Sequence, residues 1–253
     1  MDVYVEDQGT GEAVILAHAG VTDSRIWDLA VPALLGRGYR VIRYDLPGYG
    51  RSPRPTEFFS LVELALRVLD DAKVDVAHWV GLSQGGATGA DVALAAPHRL
   101  KSLSLVAPGL SGYQWPPREY SAAMIAADER GDAHGVAVEV LRRWGIMSFD
   151  ADGELIADPA SQTLLDQADW LNTEEDFQRE EPSAVERLGE IAAPTLVVLG
   201  DRDVDTITDI GNLYAATIPN ARLEMLTGAD HLLPLRVPER LHALLFEHLE
   251  ASK

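Results

Sequence analysis

Several short runs of the chain are apolar at nearly every position: Ala13–Ala17, Arg40–Asp45, Val76–Leu82, Ser102–Ala107 and Thr195–Leu199. Continuous rather than alternating runs of this length are how strands buried on both faces of a parallel sheet read. Between and after them, Ser24–Arg37, Leu61–Ala72, Gln84–Ala96, Asp209–Ala216 and Pro238–Leu249 repeat apolar residues at helical spacing. Strand–helix alternation of this kind predicts an α/β fold with a mostly parallel, doubly wound sheet. Ala221–Leu226 adds a last short strand and Val3–Glu6 an edge strand.

One region breaks the alternation. Residues 111–187 contain no strand-like run, are punctuated by Pro116–Pro117 and Gly153, and gather acidic residues over Asp166–Glu181. Leu141, Trp144, Leu164, Leu165 and Trp170 are too apolar to be left in water, so the region is predicted to be helices inserted after the strand Ser102–Ala107 rather than a linker. Two domains follow: a core of residues 1–110 and 188–253, and an inserted helical unit of residues 111–187.

Composition narrows the functional classes. A chain of 253 residues, 47% of them hydrophobic, can bury one large core. A net charge of -19, without a Lys/Arg-rich run, argues against nucleic acid as a partner. The absence of cysteine removes disulfides, a thiolate nucleophile and Cys-based zinc sites, and fits a reducing compartment. The start, Met1–Ala13, is acidic where a secretory signal needs a basic and then an apolar region, and no membrane-length apolar run follows. The expectation is a soluble, cytoplasmic protein with a small-molecule partner and no membrane association.

The candidate chemistry lies where a strand should become a helix. Gly81-Leu82-Ser83-Gln84-Gly85 is a G-x-S-x-G pattern with a predicted strand before it and a predicted helix after it, the context that pattern needs. A nucleophile on so sharp a turn crowds its neighbours, and a glycine two residues to either side removes the clashing Cβ atoms. Ser83 is therefore the candidate nucleophile, which requires a base and a carboxylate. Among seven histidines, His231 lies in the loop between the last strand and the last helix. His18 is better read as structural, His78 as core, and His98, His134, His242 and His248 as surface residues in helical or capping contexts. The loop Gly200–Asp205 supplies Asp203 as the choice to orient His231, with Asp201 second and Asp205 left to helix capping or solvent. Its D-x-D-x-D spacing invites calcium, but Thr206 and Asn212 replace the glycine and the bidentate glutamate of such a loop. No metal is expected.

His18-Ala19-Gly20, Asp45-Leu46-Pro47-Gly48-Tyr49-Gly50-Arg51-Ser52, Gly81–Gly85, Gly200–Asp203 and Asp230-His231 occur in that order along the chain. With these segments the sequence resembles the α/β-hydrolase fold superfamily over essentially its whole length. In the family's strand count they follow the third, fourth, fifth, seventh and eighth strands, and the insertion follows the sixth. The resemblance implies Ser83, Asp203 and His231 as a catalytic triad and a backbone oxyanion hole from Gly20 and Gln84. Ala19 replaces the usual glycine of the first motif, so Val21 is the alternative to Gly20. It also implies that the insertion is a cap over the nucleophile, with Val21, Trp115, Trp144, Trp170 and Leu232 as candidate pocket walls, and that no cofactor is needed. The expected activity is hydrolysis of a small carboxylic ester or lactone, in the manner of small esterases and enol-lactone hydrolases. The alternatives are a cofactor-free perhydrolase of the haloperoxidase type or a C–C bond hydrolase with the same triad, and a slow-turnover small-ligand sensor.

Overall fold

The structure, a computed structural model, describes residues 2–117, 120–169 and 177–252. Its centre is a seven-stranded sheet in the order β1-β3-β2-β4-β5-β6-β7. The strands are β1 (Val5–Gln8), β2 (Ala13–Ala17), β3 (Arg40–Tyr44), β4 (Ala77–Leu82), β5 (Leu100–Val106), β6 (Thr195–Gly200) and β7 (Arg222–Leu226). β1 pairs antiparallel with β3, and every other pairing is parallel. β2, β4 and β6, from runs that are apolar at nearly every position, are buried at every position. The insertion follows β5, the strand read from the sequence as Ser102–Ala107 and the sixth in the family's count.

Flanking the sheet are α1 (Ala30–Leu35), α2 (Leu61–Asp71), α3 (Gln84–Ala95), α7 (Asp205–Thr217) and α9 (Pro238–Ala251), with the short α8 (Leu233–Arg236) before the last. The predicted helix Ser24–Arg37 is divided into a 3-10 turn, Ser24–Trp27, and α1. The reason is Pro32, which a helix tolerates in its first turn but which would break an i→i−4 bond inside one long helix. α7 begins four residues before its predicted start at Asp209, with Asp205 in its first turn where a carboxylate complements the helix dipole. Among the described residues no helix is long and apolar enough to cross a membrane.

The stretch between β5 and β6 holds α4 (Ala122–Glu129), α5 (Ala133–Trp144), a 3-10 turn (Ile146–Ser148) and α6 (Pro159–Leu165). A further 3-10 turn, Val185–Glu190, straddles the expected boundary at residue 188. The start and the end of the insertion are tied together, Ala184 N–H donating to Ser111 O at 2.9 Å. Leu141 and Leu164 are fully buried, while Trp144 and Leu165 are partly buried against the core. Trp170 lies outside the described residues.

Candidate active site

Strand order places the site. The chain moves from β2 to β3 on one side and returns to β4 on the other, so the loops after β2 and β4 stand at a switch point at the carboxyl edge of the sheet, where open α/β sheets bind ligands. The two loops are joined there by Gly85 N–H donating to His18 O at 3.1 Å. Ser83 sits between β4 and α3 with φ 53° and ψ -111°, a left-handed backbone that a residue with a side chain seldom adopts. Its hydroxyl makes no capping bond to α3, although serine is a favoured N-cap residue. The expected role of the glycines is visible in the spacing. A Cβ at Gly81 would stand 2.1 Å from Gly85 O, and one at Gly85 would stand 2.4 Å from Ala17 O. One at Gly89 would meet the Trp79 indole at 2.4 Å, so this glycine sets how close α3 lies to the sheet.

The structure brings His231 and Asp203 together: Nδ1 lies 2.7 Å from Oδ2, with both side chains buried. A carboxylate only accepts, so Nδ1 carries the proton and the lone pair is left on Nε2. That nitrogen is buried and without a hydrogen-bond partner, so a bond to Ser83 is not formed in this state; such bonds tighten when substrate binds. Asp203 keeps its aim because Oδ1 accepts Val204 N–H at 2.8 Å. Asp201 has other work, with Oδ1 accepting Gly228 N–H at 2.6 Å and Ala229 N–H at 3.3 Å. Asp205 opens α7 on the surface.

The loop after β2 is held from inside. His18 is buried, its Nε2 accepting Leu46 N–H at 2.9 Å and its Nδ1 donating to Ala19 O at 2.7 Å. Burial lowers its pKa and keeps the ring neutral. Thr22 N–H is committed to Ala19 O at 3.2 Å, whereas the N–H groups of Gly20 and Val21 take no backbone acceptor among the described residues. Gln84 opens α3, where an N–H has no carbonyl four residues back to bond. Gly20 and Gln84 are adjacent, since a Cβ on Gly20 would meet Gln84 Oε1 at 2.6 Å.

Of the other expected residues, Trp144 lies against His231 in a tilted contact with ring centroids 4.5 Å apart. Leu232 is fully buried, and Val21 packs on the edge of the core. Trp115 is 41% exposed and meets Tyr113 edge-on, the position of a surface residue. His78 is core as expected, bonded to Ser102 Oγ at 2.7 Å, and His98 and His134 are exposed. His248 is a correction: it is buried on the inner face of α9, and His242 is partly so. The sequence reading missed Tyr49, whose hydroxyl donates to Gly20 O at 2.6 Å, and Gln178, which accepts from Gln84 Nε2 at 2.7 Å. Tyr49 was in plain view within the Asp45–Ser52 motif, but nothing local marks which loop its hydroxyl reaches.

The alpha/beta hydrolase family profile matches residues 14–244, nearly the whole described core. The chain belongs to the alpha/beta hydrolase family. A 2-hydroxy-6-oxononadienedioate/2-hydroxy-6-oxononatrienedioate hydrolase of Cupriavidus pinatubonensis is 31% identical over 248 residues, covering 90% of this chain and 84% of that protein. The 3-oxoadipate enol-lactonase 1 of Acinetobacter baylyi is 28% identical over 243 residues, covering 95% and 89%. A hydrolase from Pseudomonas aeruginosa PA01 superposes with a TM-score of 0.76 at 28% identity, covering 98% of this chain and 94% of the other.

Proposed function

We propose that this family member is a serine hydrolase that cleaves a small carboxylic ester or lactone through an acyl-serine intermediate. The observations that carry the reading are the buried His231–Asp203 pair with Nε2 left free and, after β4, a serine in a left-handed turn. His231 Nε2 takes the Ser83 proton as Oγ attacks the carbonyl carbon, and Asp203 keeps the tautomer and stabilises the imidazolium. The N–H groups of Gly20 and Gln84 meet the developing oxyanion. Collapse of the tetrahedral adduct expels the alkoxide, which takes the proton from His231. Water, deprotonated by the same nitrogen, then attacks the acyl carbon and releases the acid and Ser83. In a lactone the leaving oxygen stays tethered, and a single hydroxy acid is the product. The insertion acts as a cap, with Val21, Trp144 and Leu232 as pocket walls.

The relative at 31% identity is named for a substrate with a ketone and two carboxylates rather than an ester. Among the described residues, the side chains found against His231 and Gly20 are Asp203, Trp144, Gln84 and Tyr49, none of them a cation. The test is fluorophosphonate labelling together with p-nitrophenyl esters and lactones of increasing acyl length. Ser83→Ala is expected to abolish labelling and to lower turnover about 10⁴-fold or more with the fold intact. Labelling at a different serine, or an active Ser83→Ala protein, sinks the reading.

A further inference from the structure

We propose that Arg236 is a positioning residue for His231: its guanidinium clasps the helical insertion to the loop carrying the histidine, so that the insertion fixes the imidazole as well as covering it. The proposal rests on the serine-hydrolase reading above.

Arg236 ends α8 with a side chain only 10% exposed. Nε spans both oxygens of Asp230, at 3.2 Å and 3.3 Å, and Nη1 pairs with Asp158 Oδ1 at 3.0 Å. Nη2 donates to Ser148 Oγ. Asp158 is the N-cap of α6, and the fully buried Ser148 closes the 3-10 turn that follows Trp144. One planar fork thus joins two segments of the insertion to the residue immediately before His231. A lysine carries its three donors on one nitrogen and lacks the breadth of a planar fork, so it cannot span acceptors set this far apart.

The same seam continues on both sides of the histidine. Asp230 Oδ2 accepts Met147 N–H at 2.9 Å, and Oδ1 accepts Leu232 N–H at 3.1 Å. His231 N–H donates to Trp144 O at 3.2 Å, and the indole lies against the imidazole. Leu232 meets the insertion at Gly145, where a Cβ would come within 3.1 Å of Cδ1. Asp203 fixes one edge of the imidazole, but an edge contact leaves the ring free to swing about it. Among the described residues the His231 N–H is bonded to Trp144 O and the ring meets the Trp144 indole, both from the insertion, and Arg236 ties the insertion to this loop. Releasing the clasp moves Nε2 relative to Ser83 and slows every step in which that nitrogen carries a proton, even for substrates too short to touch the insertion.

The experiment uses the full chain with Arg236→Met, Arg236→Lys and Asp158→Asn, the last of which leaves the Arg236–Asp230 pair intact. p-Nitrophenyl acetate serves as a substrate without an acyl tail, fluorophosphonate phosphonylation of Ser83 as a second rate, and the downfield proton of the His231 Nδ1–Asp203 bond as a spectroscopic reading. In Arg236→Met, kcat and the phosphonylation rate are expected to fall on the order of 100-fold while KM changes little, and the proton signal moves or broadens. Arg236→Lys recovers part of the loss, and Asp158→Asn lowers kcat roughly 10-fold. A folded Arg236→Met protein with wild-type kcat and an unmoved proton signal overturns the clasp. Should Arg236→Met fail to fold, Asp158→Asn decides, and wild-type rates with an unmoved signal in that variant overturn it equally. A wild type that resists the probe overturns the hydrolase reading instead, and the proton signal still reads the clasp without turnover.

Discussion

At the scale of single residues, the site depends on which of several similar groups is committed elsewhere. Three aspartates follow β6, and each has a different partner: Asp201 the amides of Gly228 and Ala229, Asp203 the imidazole, Asp205 the start of α7. Asp203→Asn is expected to lower kcat/KM by about 10³–10⁴ with the fold intact, because an amide in that position favours the wrong imidazole tautomer. Asp201→Asn should cost only ~1 kcal/mol of stability and leave kcat nearly unchanged, since it weakens two hydrogen bonds outside the reaction. Ester kinetics and urea titration of the two variants separate the roles, and a severe kinetic loss in Asp201→Asn would reverse them. Ser83 could be singled out from the sequence because the steric demand of its turn is met by neighbours two residues away. The choice among the aspartates is not local: it is made by β7 and the loop after it, far along the chain.

At the scale of elements, a reading from periodicity works where one element decides its own fate. β2, β4 and β6 are apolar at nearly every position and buried at all of them, close to their expected ends. It fails where a neighbour decides. Nothing in the sequence distinguishes Trp115 from Trp144, yet the first packs on Tyr113 near solvent and the second ends α5 against His231. Trp115→Ala is therefore expected to leave the ratio of kcat/KM between long and short acyl esters unchanged. Trp144→Phe, which shortens a wall of the proposed pocket but keeps an aromatic face on His231, should shift that ratio. A shift in the Trp115 variant alone would move the pocket to the other end of the insertion. The Arg236 seam was equally out of reach, because α6, α8 and the turn after α5 meet only in three dimensions.

At the scale of the whole molecule, stability carries two buried titrating groups of opposite sense. Burial pulls His78 down to about 4, so the stability it contributes is present above its ordinary pKa and is lost as pH falls through about 4. Burial, with Glu181 nearby, pushes Asp91 up to about 7, so its contribution is present below the ordinary carboxylate pKa and is lost as pH rises through about 7. Between these limits the two effects oppose each other, each on the order of 3 kcal/mol. Asp91→Asn can keep the bond from Ser111 Oγ, 2.5 Å in the native protein, but removes the ionisation. It is expected to gain stability over wild type at pH 8 by an amount on the order of 3 kcal/mol greater than at pH 4.5, measured by urea denaturation. An equal difference at both pH values would place the ionisation of Asp91 outside this balance. The hydrogen bond between Ala184 and Ser111 has a consequence for how such a chain can diversify. A segment that leaves and rejoins its scaffold at adjacent points can be exchanged for a longer or shorter one without rethreading the sheet, and substrate range can then drift while the reacting groups stay put. Arg236 limits that freedom. A transplanted insertion that offered no acceptors where Ser148 and Asp158 stand would leave Arg236 with Asp230 alone and its two Nη groups unpaired in the interior, so a viable graft must bring its own acceptors or lose the arginine with the old segment.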